Sequence, residues 1–143
     1  MIKKLQQEMG DLAARTRILH PLVPSITNTV TVNFVANAQL AVGGSAAMIY
    51  LPDEGISMAR LGASMYINMG TLLPIYEETL PATVNALHEE KKPWVLDPVG
   101  IGIGVLRRKL LCAFRTQPPT IIRGNASEIL TLAHLWGLHE ETT

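Results

Sequence analysis

A short segment near the end of the sequence, Arg123-Gly124-Asn125-Ala126-Ser127-Glu128, places a cation, a glycine and a helix-capping pattern together. A helix N-terminus offers unpaired N–H groups and a positive dipole end, and both features suit a phosphate. Gly124 allows close approach of the backbone, and Arg123 supplies a delocalised cation for phosphate oxygens. However, Asn125 followed three residues later by Glu128 also fits an ordinary capping box. The spacing alone leaves a phosphate site and a simple helix cap equally open.

A second candidate is Asp97, which ends an apolar run and precedes a turn containing Gly100, Gly102 and Gly104. A carboxylate at the end of a strand that faces a phosphate site can hold Mg²⁺ directly or through water. The glycines do not match a dinucleotide-binding loop, because the third comes one place early and Pro98 separates strand from loop. The pattern therefore favours a glycine-rich turn with a candidate magnesium ligand at its start.

Other reactive side chains carry weaker signals. The histidines and the single cysteine show no metal-ligand spacing, and no serine-nucleophile elbow or Walker A loop is present. Cys112 lies among Leu110, Leu111, Ala113 and Phe114. We expect it to be a buried, inert thiol.

The elements that must position these residues alternate between short apolar runs and amphipathic stretches. The apolar runs predict four strands, over residues 46–50, 64–68, 93–97 and 120–123. Helices are predicted over residues 1–19, 30–42, 53–60, 74–90, 106–114 and 126–136. Pro21 and Pro24 are expected to interrupt regular structure, and Thr27 or Asn28 to cap the helix that follows. This order indicates a parallel sheet covered by helices on both faces, with ligands beyond the carboxyl ends of its strands.

Composition excludes several classes of function. With 12 basic and 12 acidic residues the formal net charge is zero, which argues against a nucleic-acid partner. The longest apolar stretch, residues 40–52, is shorter than the roughly 18 residues that a membrane-spanning helix needs, so no membrane partner is expected. The lysines near the N-terminus precede no apolar core, so we expect no signal peptide. One cysteine indicates a reducing compartment, and together these features predict a single cytoplasmic α/β domain over residues 1–143.

Taken together, several segments resemble the hydroxyethylthiazole kinases of thiamine salvage. The segments are Pro21-Leu22-Val23, Ile26-Thr27-Asn28, Asn33 with Ala36-Asn37, Gly43 and Ser45 leading to Met48, Asn68 with Gly70-Thr71-Leu72, Leu96-Asp97-Pro98-Val99-Gly100, and the Arg123 to Glu128 motif. Each is weak alone, but they occur in the family's order and at compatible spacing across about residues 20–130.

The resemblance implies a three-layer, ribokinase-like α/β fold and a homotrimer with active sites between subunits. It implies transfer of the γ-phosphoryl group of ATP to the hydroxyl of 4-methyl-5-(2-hydroxyethyl)thiazole, with Mg²⁺. The implied roles are thiazole binding by Asn28, Met48 and Gly70, ATP binding by Arg123 and Asn125, and magnesium binding by Asp97 and Glu128.

The sequence also departs from the family. Family chains are about twice as long, so we expect this chain to represent the N-terminal half of the kinase. The cysteine proposed as the family's base belongs to the second half, beyond Thr143, and no catalytic base is assigned. Ile103-Gly104 also stands where the family has Ala-Thr. These departures keep two alternatives open: a non-catalytic ligand-binding or assembly module, and a related kinase of another small alcohol.

Overall fold

The structure, a computed structural model, describes residues 2–138. Five strands are present: β1 Leu22–Ile26, β2 Ser45–Met48, β3 Met65–Asn68, β4 Trp94–Asp97 and β5 Ile121–Ile122. Six α-helices surround them: α1 Ile2–Leu19, α2 Val32–Ala41, α3 Pro52–Leu61, α4 Tyr76–Glu89, α5 Val105–Ala113 and α6 Ala126–Leu135. A short 3₁₀ turn, Phe114–Thr116, follows α5.

The five strands form one parallel sheet in the order β2-β1-β3-β4-β5. The chain moves from β1 outward to β2 and then crosses back to β3, so the order reverses between β1 and β3. Because parallel crossovers are right-handed, this reversal places α2 on one face and α3, α4 and α5 on the other. The contacts of α3 with α4 and of α4 with α5 agree with that arrangement. Ligands of such sheets bind where the order reverses.

Strand β1 corrects the expectation that Pro21 and Pro24 interrupt regular structure. The carbonyl of Leu22 accepts from Ala63 on the β3 side, whereas the carbonyl of Ser25 accepts from Ile49 on the β2 side. This alternation points the nitrogen of Pro24 toward β3, where strand pairing begins only at Ser25. Proline therefore removes no ladder hydrogen bond, and β1 tolerates it inside the sheet.

The main core lies between the sheet and the layer formed by α3, α4 and α5. Ile26, Ile67 and Leu96 are completely buried on neighbouring strands. Leu80 of α4 and Leu111 of α5 are also fully buried. In contrast, neither α1 nor α2 contains a buried residue, so apolar side chains on these helices remain open to solvent.

Two local features differ from the sequence-based expectations. Helix α2 begins at Val32 rather than at residue 30, because Asn28 caps the turn before it: its Oδ1 accepts from the N–H of Thr31 at 3.0 Å. Cys112 is exposed, so the prediction of a buried thiol was wrong. Leu110 and Leu111 take the buried face of α5, and a turn of about 100° per residue carries Cys112 away from it. None of the helices within residues 2–138 combines the length and the apolar character that crossing a bilayer requires.

Candidate functional site

A cavity of about 380 Å³ opens beyond the carboxyl ends of β1, β3, β4 and β5, on the face that carries α2. One part of its wall is polar and is formed by Asn28, Thr31, Tyr66, Asn68, Asp97 and Arg123. The other part is apolar and is formed by Phe34, Val35 and Val99. The cavity therefore lies where the strand order reverses and combines a hydrogen-bonding side with an apolar side.

The register of the sheet explains why three of the polar residues meet. Asn68 lies directly opposite Asp97 in the pairing of β3 with β4. The pairing of Leu96 with Ile122 places Arg123 next to Asp97 on the following strand. Since neighbouring strands in register point paired side chains to the same face, the amide, carboxylate and guanidinium form a row across the sheet.

Asp97 is the centre of the hydrogen-bond network in this cavity. Its Oδ2 accepts from Arg123 Nη1 at 2.6 Å, from the Tyr66 hydroxyl at 2.8 Å and from Asn68 Nδ2 at 2.9 Å. The side chain of Asp97 is only 1% exposed, so these three donors offset the cost of burying its charge. Its other oxygen, Oδ1, is buried and has no hydrogen-bond partner within residues 2–138.

The carboxylate of Asp97 and the burial of the site raise the pKa values of two neighbouring side chains. The hydrogen bond to Asp97 raises the pKa of Arg123 above its usual value, so this guanidinium stays charged. Burial raises the pKa of the Tyr66 hydroxyl, and the neighbouring carboxylate adds to that effect. Tyr66 is therefore a neutral hydrogen-bond donor at physiological pH.

A second part of the network connects β1 with the turn after β3. Asn68 Oδ1 accepts from Asn28 Nδ2 at 3.0 Å and from the N–H of Gly70 at 2.9 Å. Asn28 Oδ1 in turn accepts from the N–H groups of Val30 and Thr31. Asn28 and Gly70, two of the residues predicted from the family resemblance to bind substrate, are therefore neighbours held by Asn68.

The remaining predicted site residues lie apart from the cavity wall. Met48 ends β2, the edge strand beside β1, and is only partly buried. Asn125 caps α6, accepting from the N–H of Glu128 at 2.9 Å, while Glu128 Oε2 accepts from the N–H of Asn125 at 2.8 Å. This reciprocal pair confirms the capping box predicted from the sequence. One carboxylate oxygen of Glu128 is consequently engaged by the backbone.

Tyr66 is a cavity residue that the sequence analysis did not single out. It precedes Asn68 by two residues on β3, so both side chains lie on the same face of the sheet. The signal was available in this alternation, because a tyrosine placed two positions before a polar strand end shares its face. Phe34 and Val35 of α2 were missed for a different reason: their contribution depends on how α2 lies over the sheet.

The side chains around the cavity meet only part of what a metal ion requires. Within residues 2–138, no three His, Cys, Asp or Glu side chains are grouped closely enough to hold a metal. Asp97 fits a cation, because it lines the cavity and its Oδ1 accepts no hydrogen bond from the part of the chain that the structure describes. A cation with few protein ligands and several waters is typical of Mg²⁺ bound beside phosphates.

Comparison with known proteins shows the family to which the chain belongs. The sequence model of the hydroxyethylthiazole kinase family matches residues 14–140. A hydroxyethylthiazole kinase of Bifidobacterium longum (strain NCC 2705) is 51% identical over 138 residues, which cover 96% of this chain and 44% of that protein. A hydroxyethylthiazole kinase of Bifidobacterium adolescentis is 54% identical over 134 residues, which cover 94% of this chain and 44% of that protein.

A solved structure of a hydroxyethylthiazole kinase protein from Pyrococcus horikoshii OT3 superposes with a TM-score of 0.80 and 35% identity. The superposition covers 87% of this chain and 49% of that one, and it confirms the predicted α/β fold with a parallel sheet. The chain spans slightly less than half the length of the relatives it matches. On the family match and on the identity to these relatives, the chain belongs to the hydroxyethylthiazole kinase family.

Proposed function

We propose that this chain supplies the substrate-binding part of a kinase that phosphorylates the hydroxyl of 4-methyl-5-(2-hydroxyethyl)thiazole with ATP. The observation that carries the proposal is the cavity where the strand order reverses, with its polar network around Asp97. Family membership supports the same reaction, since the relatives named above are hydroxyethylthiazole kinases. The described part of the chain would then be the N-terminal part of one kinase domain.

The thiazole alcohol is proposed to bind between the apolar wall and Asn28. Phe34 is 76% exposed at the cavity mouth, so a flat heterocycle could cover its ring and remove apolar surface from water. Asn28 and Gly70 would contact the ring from the strand ends, as the family resemblance implies. Met48 would approach from the neighbouring edge strand.

The ATP phosphates are proposed to bind on the Arg123 side. Arg123 uses Nη1 for Asp97, while 71% of its side chain is exposed, so the rest of its fork is open to an anion. Asn125 would contribute through the start of α6, which it caps. Phosphoryl transfer depends mainly on positioning and charge neutralisation, and a fixed guanidinium provides part of both.

Asp97 is the residue proposed to hold Mg²⁺, with Glu128 contributing through water. When bound, such an ion would neutralise charge on the phosphate oxygens. The chain's own contribution is to present a carboxylate whose orientation is fixed by Tyr66, Asn68 and Arg123.

A homotrimer is also proposed, as the resemblance implies. Helix α1 carries Ile2, Leu5, Met9 and Leu12 at helical spacing, and all four are exposed. An exposed apolar stripe of this kind is typical of a surface that packs against another chain. The mass of the protein in solution, measured by native mass spectrometry, tests this assembly.

Binding of the thiazole alcohol to the purified chain, followed by calorimetry, tests the proposed substrate. We expect saturable binding that Asn28→Ala weakens about tenfold, because a partly buried amide partner is lost. Asn33→Ala is the matched control, since Asn33 is exposed on α2 and, within residues 2–138, its side chain bonds only to Asn37. Absence of saturable binding, or equal losses in both variants, would contradict the proposal. Hydroxymethylpyrimidine as a competing ligand separates this substrate from that of a related kinase.

Release of ADP that depends on the thiazole alcohol, measured with the full-length kinase to which we assign this part, tests the reaction itself. We expect Arg123→Ala to abolish most of that release while leaving binding of the alcohol largely intact. Binding without any ADP release would instead support the alternative of a non-catalytic ligand-binding module.

A further inference from the structure

Arg107, in the first turn of α5, makes an unusual set of contacts for a side chain outside the cavity wall. Its Nε donates to the carbonyl of Met69 at 3.0 Å, and its Nη2 donates to the carbonyl of Gly70 at 2.9 Å. Its Nη1 donates to the carbonyl of Ile103 at 2.8 Å. Each guanidinium nitrogen is thus bonded to a backbone carbonyl, and the planar fork joins the turn after β3 to the loop before α5.

The contact with Met69 has a direct connection to the candidate site. The carbonyl of Met69 and the N–H of Gly70 belong to the same peptide group. Arg107 holds the carbonyl end of that group, and Asn68 Oδ1 accepts from its N–H end at 2.9 Å. Rotation of this peptide would break both hydrogen bonds, and Asn68 Oδ1 would retain only Asn28 as a donor.

The guanidinium also lies against the loop that follows Asp97. A Cβ built on Gly100 would be 3.4 Å from the central carbon of the Arg107 guanidinium. The side chain therefore packs on the backbone of this loop as well as bonding to Ile103. One residue consequently fixes two loops that follow neighbouring strands, β3 and β4.

We propose that Arg107 is a positioning residue that fixes the peptide between Met69 and Gly70 and thereby orients Asn68 and Asn28 for the substrate. The proposal rests on the proposed function above, because it assigns a task in forming the same substrate site. Arg107 does not itself contact the ligand, and its three guanidinium nitrogens are engaged by carbonyls. What it supplies is the geometry of its fork, which a lysine ammonium cannot reproduce.

Two variants and a matched control test whether the planar guanidinium of Arg107 is required. We expect Arg107→Ala and Arg107→Lys each to weaken binding of the thiazole alcohol about tenfold. Alanine has no donor, and the single nitrogen of lysine cannot occupy the three donor positions of the planar fork. Millimolar ethylguanidinium should restore binding to Arg107→Ala but not to Arg107→Lys, whose side chain still fills the space. Arg108→Ala is the control, because Arg108 is exposed and lines a separate cleft. If Arg107→Lys binds like the parent chain, charge rather than geometry is required and the proposal is wrong.

Amide hydrogen exchange gives a readout that does not depend on the ligand. We expect faster exchange at Gly70 in both Arg107 variants, with unchanged exchange in β4 and an unchanged far-ultraviolet circular dichroism spectrum. Unchanged exchange at Gly70 overturns the positioning role. The parent chain could fail to bind the thiazole alcohol while exchange at Gly70 still becomes faster in the Arg107 variants. In that case the proposed substrate is wrong, and the role of Arg107 in fixing this peptide is upheld.

Discussion

Gly70 is the residue of the site where the structure leaves least room for a side chain. A Cβ at this position would lie 2.9 Å from Asn68 Oδ1 and 3.0 Å from the Cβ of Asn28. Gly70→Ala must therefore displace one or both asparagines, and we predict about tenfold weaker binding of the thiazole alcohol in calorimetry. Gly10→Ala is a suitable control, because nothing lies within 4 Å of a Cβ there and alanine favours the helix. Equal affinity of Gly70→Ala and the parent would show that Asn28 and Asn68 need not stay in place.

Tyr66 supplies one of the three hydrogen bonds to the buried carboxylate of Asp97. Tyr66→Phe keeps the ring and removes this donor, while Asn68 and Arg123 remain on the same oxygen. We predict a loss of about 1–3 kcal/mol in the free energy of unfolding, measured by urea denaturation. Tyr50→Phe is the comparison, because the Tyr50 hydroxyl makes no hydrogen bond within residues 2–138. If both substitutions change stability equally, the Tyr66 hydroxyl contributes nothing specific to holding Asp97.

Among the helices, α3 contacts α4 at Gly55, which lies against Thr83. A Cβ on Gly55 would lie 2.0 Å from the hydroxyl oxygen of Thr83 on α4, and that hydroxyl is buried with no hydrogen-bond partner in the described part of the chain. Gly55→Ala therefore forces the helices apart, and we predict a destabilisation of about 1–3 kcal/mol. In Gly55→Ala/Thr83→Ala the clashing oxygen is gone, so most of that stability should return.

A double-mutant cycle of thermal unfolding measures this coupling. Thr83→Ala alone should cost only the burial of its methyl group, because the removed hydroxyl has no hydrogen-bond partner within residues 2–138. Strictly additive effects of the two substitutions would mean that Gly55 is required by the helix backbone and not by contact with Thr83.

Element types were largely predictable, because helices α1 to α6 fall in amphipathic stretches and strands β2 to β5 in short apolar runs. Strand β1 was missed, since Pro21 and Pro24 mark a break when neighbouring strands are unknown. Whether a proline interrupts a strand depends on which neighbour its missing N–H would face, and that information is tertiary. Capping of α6 was predictable because it is a local interaction. Asn125 and Glu128 are three residues apart, and each side chain bonds to the backbone of the other.

For the molecule as a whole, the sequence indicated which edge of the sheet holds the site but not how the site is assembled. Asp97 and Arg123 were each identified from the sequence. The pairing of β4 with β5 brings Arg123 Nη1 to 2.6 Å from Asp97 Oδ2. The roles of Tyr66 and Arg107 depend on contacts between residues more than 25 positions apart, Tyr66 with Asp97 and Arg107 with Met69. No local pattern encodes such pairs, because the spacing along the chain is set by the intervening helix.

The stability of the whole chain at high pH should depend on Tyr76. This residue is 1% exposed, its hydroxyl is buried with no hydrogen-bond partner among residues 2–138, and burial raises its pKa from 10.0 to about 12. The folded state therefore keeps this proton where the unfolded chain releases it. Stability that is fully present below pH 10 is lost as the pH rises toward about 12.

Tyr76→Phe removes this titration, and chemical denaturation at a series of pH values would measure the effect. At neutral pH we expect equal or slightly higher stability, because an unsatisfied hydroxyl leaves the core. Above pH 10 the parent should lose up to about 1.4 kcal/mol more per pH unit than the variant, as one proton is linked to unfolding. Lysines titrate in both proteins, so the difference between the two curves isolates Tyr76. Parallel curves through this range would show that Tyr76 ionises as readily in the folded chain as in the unfolded one, and that the layer between the sheet and α4 admits water at its hydroxyl.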